Sequence, residues 1–210
     1  MKNKSDVRSM LKDALLLFAI TLIAGLALGY VYELTKEPIR IQKELAVARA
    51  CKEVFEQAED FEELDYTPSE ELTAELALKG VTIDTAFEAF DSAGASLGYV
   101  VQTTSSGGYG GDITLYVGVT KEGVLNGISI LEIAETPGLG MQADEVLTPQ
   151  FADKAVSRFT FTKSGSISES EVDAISGATV TTEALVNAVN GGLKAIHGEL
   201  LEAKGGAENE

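Results

Sequence analysis

The longest hydrophobic stretch of the chain lies near its N-terminus. From Ala14 to Tyr32 there are 19 consecutive uncharged residues. At about 1.5 Å per residue, a helix of that length crosses a hydrocarbon layer of about 30 Å. The run is longer than the hydrophobic region of a cleaved signal peptide, and no cleavage site is evident after it. The pattern therefore predicts that residues 1–37 form a cytoplasmic N-terminus and a single transmembrane anchor.

Residues within and beside this span indicate its orientation and contacts. Tyr30 and Tyr32 lie at its outer end, where amphipathic rings are favoured. Gly25 and Gly29 form a GxxxG pattern that lets a partner helix approach closely, although such pairs are also common in simple anchors. The N-terminal basic residues are nearer the span than the later ones, so we expect the C-terminal domain outside the cytoplasm. The flanking basic residues are Lys2, Lys4, Arg8 and Lys12 before the span, and Lys36, Arg40, Lys43 and Lys52 after it.

Residues 38–80 are predicted to form a helical connector. Pro38 is suited to the first turn of a new helix. The acidic run from Glu59 to Asp65 is expected to be a solvated loop or a helix end. The helical spacing of the apolar residues predicts one buried face, with the single cysteine in the core. The residues of that face are Ile41, Leu45, Ala48, Cys51 and Phe55.

Residues 81–203 have the pattern of an antiparallel sheet with flanking helices, which gives an α+β fold class. Alternating apolar residues predict strands at 83–90, 97–104, 113–119 and 124–133, joined by short turns in a meander. A helix at 143–156, a strand at 158–162 and a closing amphipathic helix at 182–201 are expected to follow. The apolar face of the closing helix is formed by Leu185, Val189, Leu193 and Ile196. The small and polar residues 204–210 predict a disordered tail.

Charge and composition exclude several classes of function. The chain has 16 basic and 33 acidic residues and a net charge of −17, so it repels polyanions and no nucleic-acid partner is expected. One cysteine and one histidine cannot supply the ligands of a zinc site, an iron–sulfur cluster or a bis-histidine haem, and they allow no intramolecular disulfide. Redox chemistry in this protein would therefore need an organic cofactor.

Three loops contain more glycine and threonine than connections between strands require. Residues 107–111 (GGYGG) let the backbone approach a flat ligand, and residues 135–140 (ETPGLG) form a rigid turn. Residues 173–182 (DAISGATVTT) lead into the last helix, whose N-terminus attracts phosphate. Each loop also has an ordinary interpretation as a hairpin, a turn, or a helix cap at Thr181 or Thr182.

In this order, the three motifs resemble the FMN-binding domain of the RnfG family, a component of the Rnf electron transport complex. They resemble more loosely a related family, the FMN subunit of the sodium-pumping NADH:quinone oxidoreductase. The resemblance covers nearly the whole chain and implies an FMN joined by a phosphoester to Thr179. Because a threonine hydroxyl without a base is a poor nucleophile, a separate flavin transferase is expected to attach it. The other candidate cofactor-binding residues are Asp173, Ser176, Gly177, Ala178, Thr182, Glu135, Thr136, Gly138, Leu139, Tyr109 and Gly110.

The resemblance implies a membrane-anchored flavoprotein that relays electrons in an ion-translocating ferredoxin:NAD+ oxidoreductase complex. Its partners would be the other membrane subunits, and no independent catalytic site is expected. Thr136 and Leu139 are expected to sandwich the ring, and His197 to be an ordinary surface or packing residue. Two alternatives remain, namely the FMN subunit of a sodium-pumping NADH:quinone oxidoreductase and an assembly module of the same fold without flavin.

Overall fold

The computed structural model describes residues 4–202, with side chains from Arg8 onward. The predicted tail at 204–210, and Lys2 among the flanking basic residues, lie outside the described residues. The chain divides between Leu45 and Ala46 into two compact units.

The first unit contains most of a long helix, α1, which covers Lys4–Val54 and ends in the second unit. Within the described part of the chain, α1 is the one helix long and apolar enough to cross a membrane. The prediction that Pro38 begins a new helix was wrong, because α1 continues through it. One backbone hydrogen bond is lost there, but good helix formers on both sides, such as Leu34 and Lys43, keep the helix intact.

The second unit is built on a five-stranded sheet whose neighbouring strands are all antiparallel. The strands follow one another in the order of the sequence, which confirms the predicted meander. A short helix, α2, covers Glu70–Ala77 and connects the first two strands in the sequence. The strands are β1 (Asp60–Leu64), β2 (Val81–Phe90), β3 (Ser96–Ser105), β4 (Ile113–Thr120) and β5 (Leu125–Ile133).

Strand β1 corrects the prediction that the acidic run 59–65 is a loop or helix end. It pairs with β2 at the edge of the sheet, where Glu62 and Glu63 are exposed to solvent. Phe61 and Leu64 are half-buried and pack against the hydrophobic core. Charged side chains are tolerated on an edge strand because one side of it faces water. The run was misassigned because its two apolar residues are too few to show a strand pattern.

The segment after β5 differs from the predicted helix at 143–156. A four-residue helix, α3 (Ala143–Val146), lies between 3-10 turns at Gly140–Gln142 and Thr148–Phe151. Pro149 in the second turn cannot donate a backbone hydrogen bond, so a regular helix does not continue. Two short parallel strands follow, β6 (Thr160–Thr162) and β7 (Glu171–Asp173), of which only the first was predicted.

The last helix, α4, covers Thr179–Ala195 and begins three residues before the predicted start. A π-helical turn, Ile196–Leu200, continues it. α4 packs against strands β2, β3 and β4 and forms the largest part of the core with them. The predicted inner face is confirmed, because all four of its residues are fully buried.

The opposite face of the sheet is covered by the end of α1. Cys51 is 1% exposed and lies in a cluster with Val100 and Tyr116, which confirms its predicted core position. Ile41 and Leu45 are exposed, however, and so is Ala48. The prediction of a buried face therefore holds for Cys51 and Phe55 but not for these three residues.

Candidate functional site

A cavity of about 480 Å³ lies at the N-terminus of α4. Its lining comes from all three glycine-rich loops, which are far apart in the sequence. The residues that line it are Tyr109, Glu135, Thr136, Leu139, Gly140, Gly177, Ala178, Thr179, Val180 and Thr181. The fold thus brings the three motifs to one place.

Seven of the twelve predicted site residues line this cavity, whereas Gly110, Gly138, Asp173, Ser176 and Thr182 do not. Three lining residues, Gly140, Val180 and Thr181, were missed. Gly140 ends the ETPGLG motif and the other two follow Thr179 directly, so their places in the motifs were the available signal. The sequence does not show that these three residues meet in one cavity, because they come from loops that are far apart in the chain.

The start of α4 has free backbone donors. Ala178 is the N-terminal cap residue, and no side chain caps the helix. The first backbone bond of the helix runs from the Thr182 N–H to the Ala178 carbonyl at 3.0 Å. The N–H groups of residues 179–181 therefore have no acceptor within the helix, and the helix dipole adds positive potential there. Thr179, the first residue of the helix, is half-exposed and lines the cavity.

Thr182 is not a helix cap, and it shapes the loop instead. Its buried hydroxyl accepts a hydrogen bond from the Ile175 N–H at 3.2 Å and donates one to the Ala178 carbonyl at 3.0 Å. Gly177 has a φ of 80°, a conformation that favours glycine. These features bend residues 175–178 sharply just before the helix.

Asp173 lies in β7 and organises the neighbouring turn rather than the cavity. Its carboxylate accepts a hydrogen bond from the Ser166 N–H at 2.7 Å. Its own N–H donates to Gln150 Oε1 at 2.7 Å. Asp173 therefore holds the strand that leads to the third motif, and we assign it an indirect effect on the site.

Glu135 joins the first two motifs. Its side chain is largely buried, at 7% exposure. Oε1 accepts a hydrogen bond from the Tyr109 N–H at 2.7 Å and a longer one from the Gly110 N–H at 3.3 Å. Hydrogen bonds to an ionised acceptor are stronger than neutral ones. The carboxylate of Glu135 thus fixes the GGYGG loop against the wall of the cavity.

Two glycines make the close packing of the site possible. A Cβ on Gly140 would lie 2.7 Å from Glu135 Cβ and 2.7 Å from Thr181 Oγ1. A Cβ on Gly108 would overlap the Gly111 carbonyl oxygen and lie 2.7 Å from Glu135 Oε1. A side chain at either position would require the backbone or Glu135 to move. The close approach of the loops therefore depends on glycine at both positions.

The rim of the cavity is apolar and open to solvent. Tyr109 is 76% exposed, Leu139 42% and Val180 47%. A ligand with a phosphate at one end and a flat aromatic body at the other would match the helix N–H groups and this rim. Among the described residues, no group of three or more His, Cys, Asp and Glu side chains could hold a metal ion. His197 lies elsewhere in the domain, with its Nε2 atom 3.1 Å from the Gly123 carbonyl oxygen.

A comparison with solved structures gives a likeness to a crystal structure of Shewanella oneidensis NqrC. It has a TM-score of 0.46 and 22% sequence identity, and it covers 71% of this chain and 74% of that one.

Two family models match the sequence. Residues 1–54 match the RnfG N-terminal region, and residues 108–194 match the FMN-binding domain. The chain is 32% identical over 194 residues to the G subunit of the Na(+)-translocating ferredoxin:NAD(+) oxidoreductase complex of Acetobacterium woodii, which covers 90% of this chain and 92% of the relative. It is 30% identical over 191 residues to the G subunit of the ion-translocating oxidoreductase complex of Methanosarcina acetivorans, covering 89% and 94% of the two chains. The chain therefore belongs to the RnfG family of ion-translocating oxidoreductase complexes and contains an FMN-binding domain.

Proposed function

We propose that this chain is the membrane-anchored flavoprotein of an ion-translocating ferredoxin:NAD+ oxidoreductase complex, and that its FMN is bound covalently to Thr179. The relatives from Acetobacterium woodii and Methanosarcina acetivorans support membership of such a complex. The observation that carries the proposal is the convergence of three separate loops on the N-terminus of α4. When bound, FMN supplies the redox chemistry of the protein.

The phosphate of FMN would lie at the start of α4. The N–H groups of residues 179–181 have no acceptor in the helix, and the dipole of the 17-residue helix favours an anion there. Thr179 is the first helical residue, is half-exposed and lines the cavity. A phosphoester to Thr179 would therefore keep the phosphate in the most favourable potential of the cavity.

The ring of FMN would be held at the apolar rim. Tyr109, Leu139 and Val180 supply exposed apolar surface. Thr136, which follows the buried Glu135 in the chain, also lines the cavity. The absence of side chains at Gly108 and Gly140 leaves the loops close together, so the backbone can contact a flat ligand. These residues bind and orient the ring and exclude water from one side of it.

Attachment of FMN needs a second enzyme. The cavity contains no histidine or cysteine, and the Glu135 carboxylate is already bound to two backbone N–H groups. A flavin transferase would supply the base and an activated flavin pyrophosphate. A bond would form between Thr179 Oγ1 and the phosphorus on the flavin side as the bridging P–O bond of the pyrophosphate breaks. The base of the transferase would take the hydroxyl proton, and a nucleoside monophosphate would leave.

The domain that holds FMN is proposed to lie outside the cytoplasm. The single long apolar helix α1 supports membrane anchoring. A covalent bond is useful on that side because a dissociated flavin could not be recaptured there. In cells that carry Cys51→Ala and Gly206→Cys, an impermeant maleimide should label the intact cells. Labelling that appears only after lysis would show the opposite orientation.

Three variants test the covalent site. In cells that contain the transferase, Thr179→Ala should remove the ultraviolet-fluorescent band of the denatured protein, whereas Thr179→Ser should retain it because a hydroxyl remains. Thr181→Ala is the matched control, since it removes the same atoms two residues further along the cavity wall. A fluorescent band in Thr179→Ala, or its loss only in Thr181→Ala, would contradict the assignment.

A further inference from the structure

A second cavity, of about 420 Å³, lies toward the other end of α4 from Thr179. Its walls come from the end of α2, the segment before β6, the last turns of α4 and the π-helical turn. It shares no lining residue with the proposed FMN site. The basic residues in its lining are Lys79, Arg158 and Lys194.

This concentration of positive charge is unusual for this domain. Residues 46–202 contain eight basic and 26 acidic residues, and three of the eight line this one cavity. At physiological ionic strength, charges are screened beyond about 8 Å. An approaching group therefore responds to the local cations at this cavity more than to the acidic remainder of the domain.

The cations outnumber their partners within the protein. Lys194 pairs with Glu75 on α2. The side chains of Lys79 and Arg158 form no hydrogen bond or ion pair with any residue that the structure describes. The Lys194 ammonium, with weaker contributions from the charges of Lys79 and Arg158, lowers the pKa of Glu75 below its ordinary value. Three cations and two carboxylates, those of Glu75 and Glu202, therefore line the cavity.

The cations of this cavity stand on three separate segments of its wall, and Leu76 and Gly191 also belong to the lining. Cations on separate segments suit a chain that carries several carboxylates. The π-helical turn at Ile196–Leu200 forms part of the wall, and turns of this kind occur frequently at functional sites.

We propose that this cavity is a docking site for an acidic segment of another protein of the complex, with aspartate or glutamate side chains contacting Lys79, Arg158 and Lys194. The proposal rests on the proposed function only in that the partner belongs to the same complex. The guanidinium of Arg158 can bind a carboxylate through two parallel hydrogen bonds. Lys79 provides a second contact on the α2 side of the cavity.

Photo-crosslinking in the intact complex tests the proposal directly. A benzophenone amino acid at Leu78 stands beside Lys79, and Leu78 is 88% exposed, so this substitution leaves all three cations in place. We expect a crosslinked peptide from another protein of the complex that contains clustered aspartates or glutamates. The yield should decrease as the salt concentration is raised before irradiation. A crosslink to lipid, or none at all, would overturn the proposal.

Charge reversal supplies the matched comparison. Lys79→Glu with Arg158→Glu should reduce the crosslink yield about tenfold, because both attractive contacts become repulsive. The control is Lys121→Glu with Lys163→Glu, which changes the net charge equally at two residues outside this lining. Equal yields in wild type and Lys79→Glu/Arg158→Glu, or equal losses in the two double variants, would refute a local site.

Two readouts separate folding and flavin effects from docking. Lys79→Gln with Arg158→Gln removes the two charges without adding acidic groups. Its crosslink yield should lie between those of the wild type and the charge-reversal variant, and its Tm should equal that of the wild type. The fluorescence of the denatured protein is measured on the same samples. A crosslinked protein without flavin fluorescence would contradict only the proposal of covalent FMN. A fluorescent protein that gives no crosslink would contradict only the docking proposal.

Discussion

Replacement of Glu135 by alanine should loosen the GGYGG loop. The substitution leaves the Tyr109 N–H without its acceptor at 2.7 Å and the Gly110 N–H without its acceptor at 3.3 Å. A hydrogen bond to a charged group contributes about 1.5–3 kcal/mol. The second bond is longer and adds less, and the lost burial cost of the carboxylate offsets part of the total. We therefore expect the free energy of unfolding to decrease by about 2 kcal/mol.

The assay is thermal unfolding of the full chain in detergent, with hydrogen exchange at the Tyr109 amide as the local readout. For a domain of this size, 1 kcal/mol corresponds to about 2–4 °C, so Glu135→Ala should lower Tm by about 4–8 °C. Glu135→Gln keeps an oxygen acceptor but loses the charge, and it should lower Tm by about half as much. Exchange at the Tyr109 amide should accelerate in the same order.

Glu132→Ala is the control, because it removes a carboxylate from the same segment that is more exposed than Glu135. Its effect should stay within about 0.5 kcal/mol. If Glu135→Ala melts like Glu132→Ala, or if alanine and glutamine at position 135 have equal effects, the carboxylate does not hold the loop as described.

Two further predictions concern the packing of the helices. In Gly192→Ala the new Cβ would lie 2.8 Å from Val117 Cβ, so overpacking should exceed the gain in helix propensity and lower stability by about 1–2 kcal/mol. Gly127→Ala, where nothing lies within 4 Å of the added Cβ, should change Tm little in the same melting experiment. Gly25→Leu with Gly29→Leu should leave flavin attachment normal but release the protein from the complex during detergent purification. Copurification with unchanged ferredoxin-dependent activity would show that these glycines make no helix contact.

The sequence predicts the central architecture well where one physical signal dominates. The alternating apolar residues of β4 and the spaced leucines Leu185 and Leu193 of α4 lie in one core cluster, as the sequence predicts. The other face of β4 is buried as well, against the cluster that contains Tyr116, and the alternation did not indicate this. β1 was misassigned because its edge position allows Glu62 and Glu63 to face water. Whether such a segment forms a strand depends on tertiary contacts that the hydropathy pattern does not reveal.

The predicted start of α4 was three residues too late, again because of contacts that the sequence pattern does not show. The prediction rested on the apolar face that begins at Leu185, and Thr179, Val180 and Thr181 are β-branched residues of low helix propensity. The buried hydroxyl of Thr182 instead holds the preceding loop, so the helix begins at Thr179. The motifs identified the three loops of the candidate site, but the contribution of Gly140 depends on its close approach to other segments of the fold.

Peptide mass mapping of the wild-type protein, purified from cells that contain the transferase, tests the central claim most directly. Trypsin should release residues 164–194, which contain Thr179 together with Thr181 and Thr182. The account predicts that this peptide carries the mass of FMN less one water, and that fragmentation locates the addition on Thr179. An unmodified peptide, or an addition on Thr181 or Thr182, would contradict it.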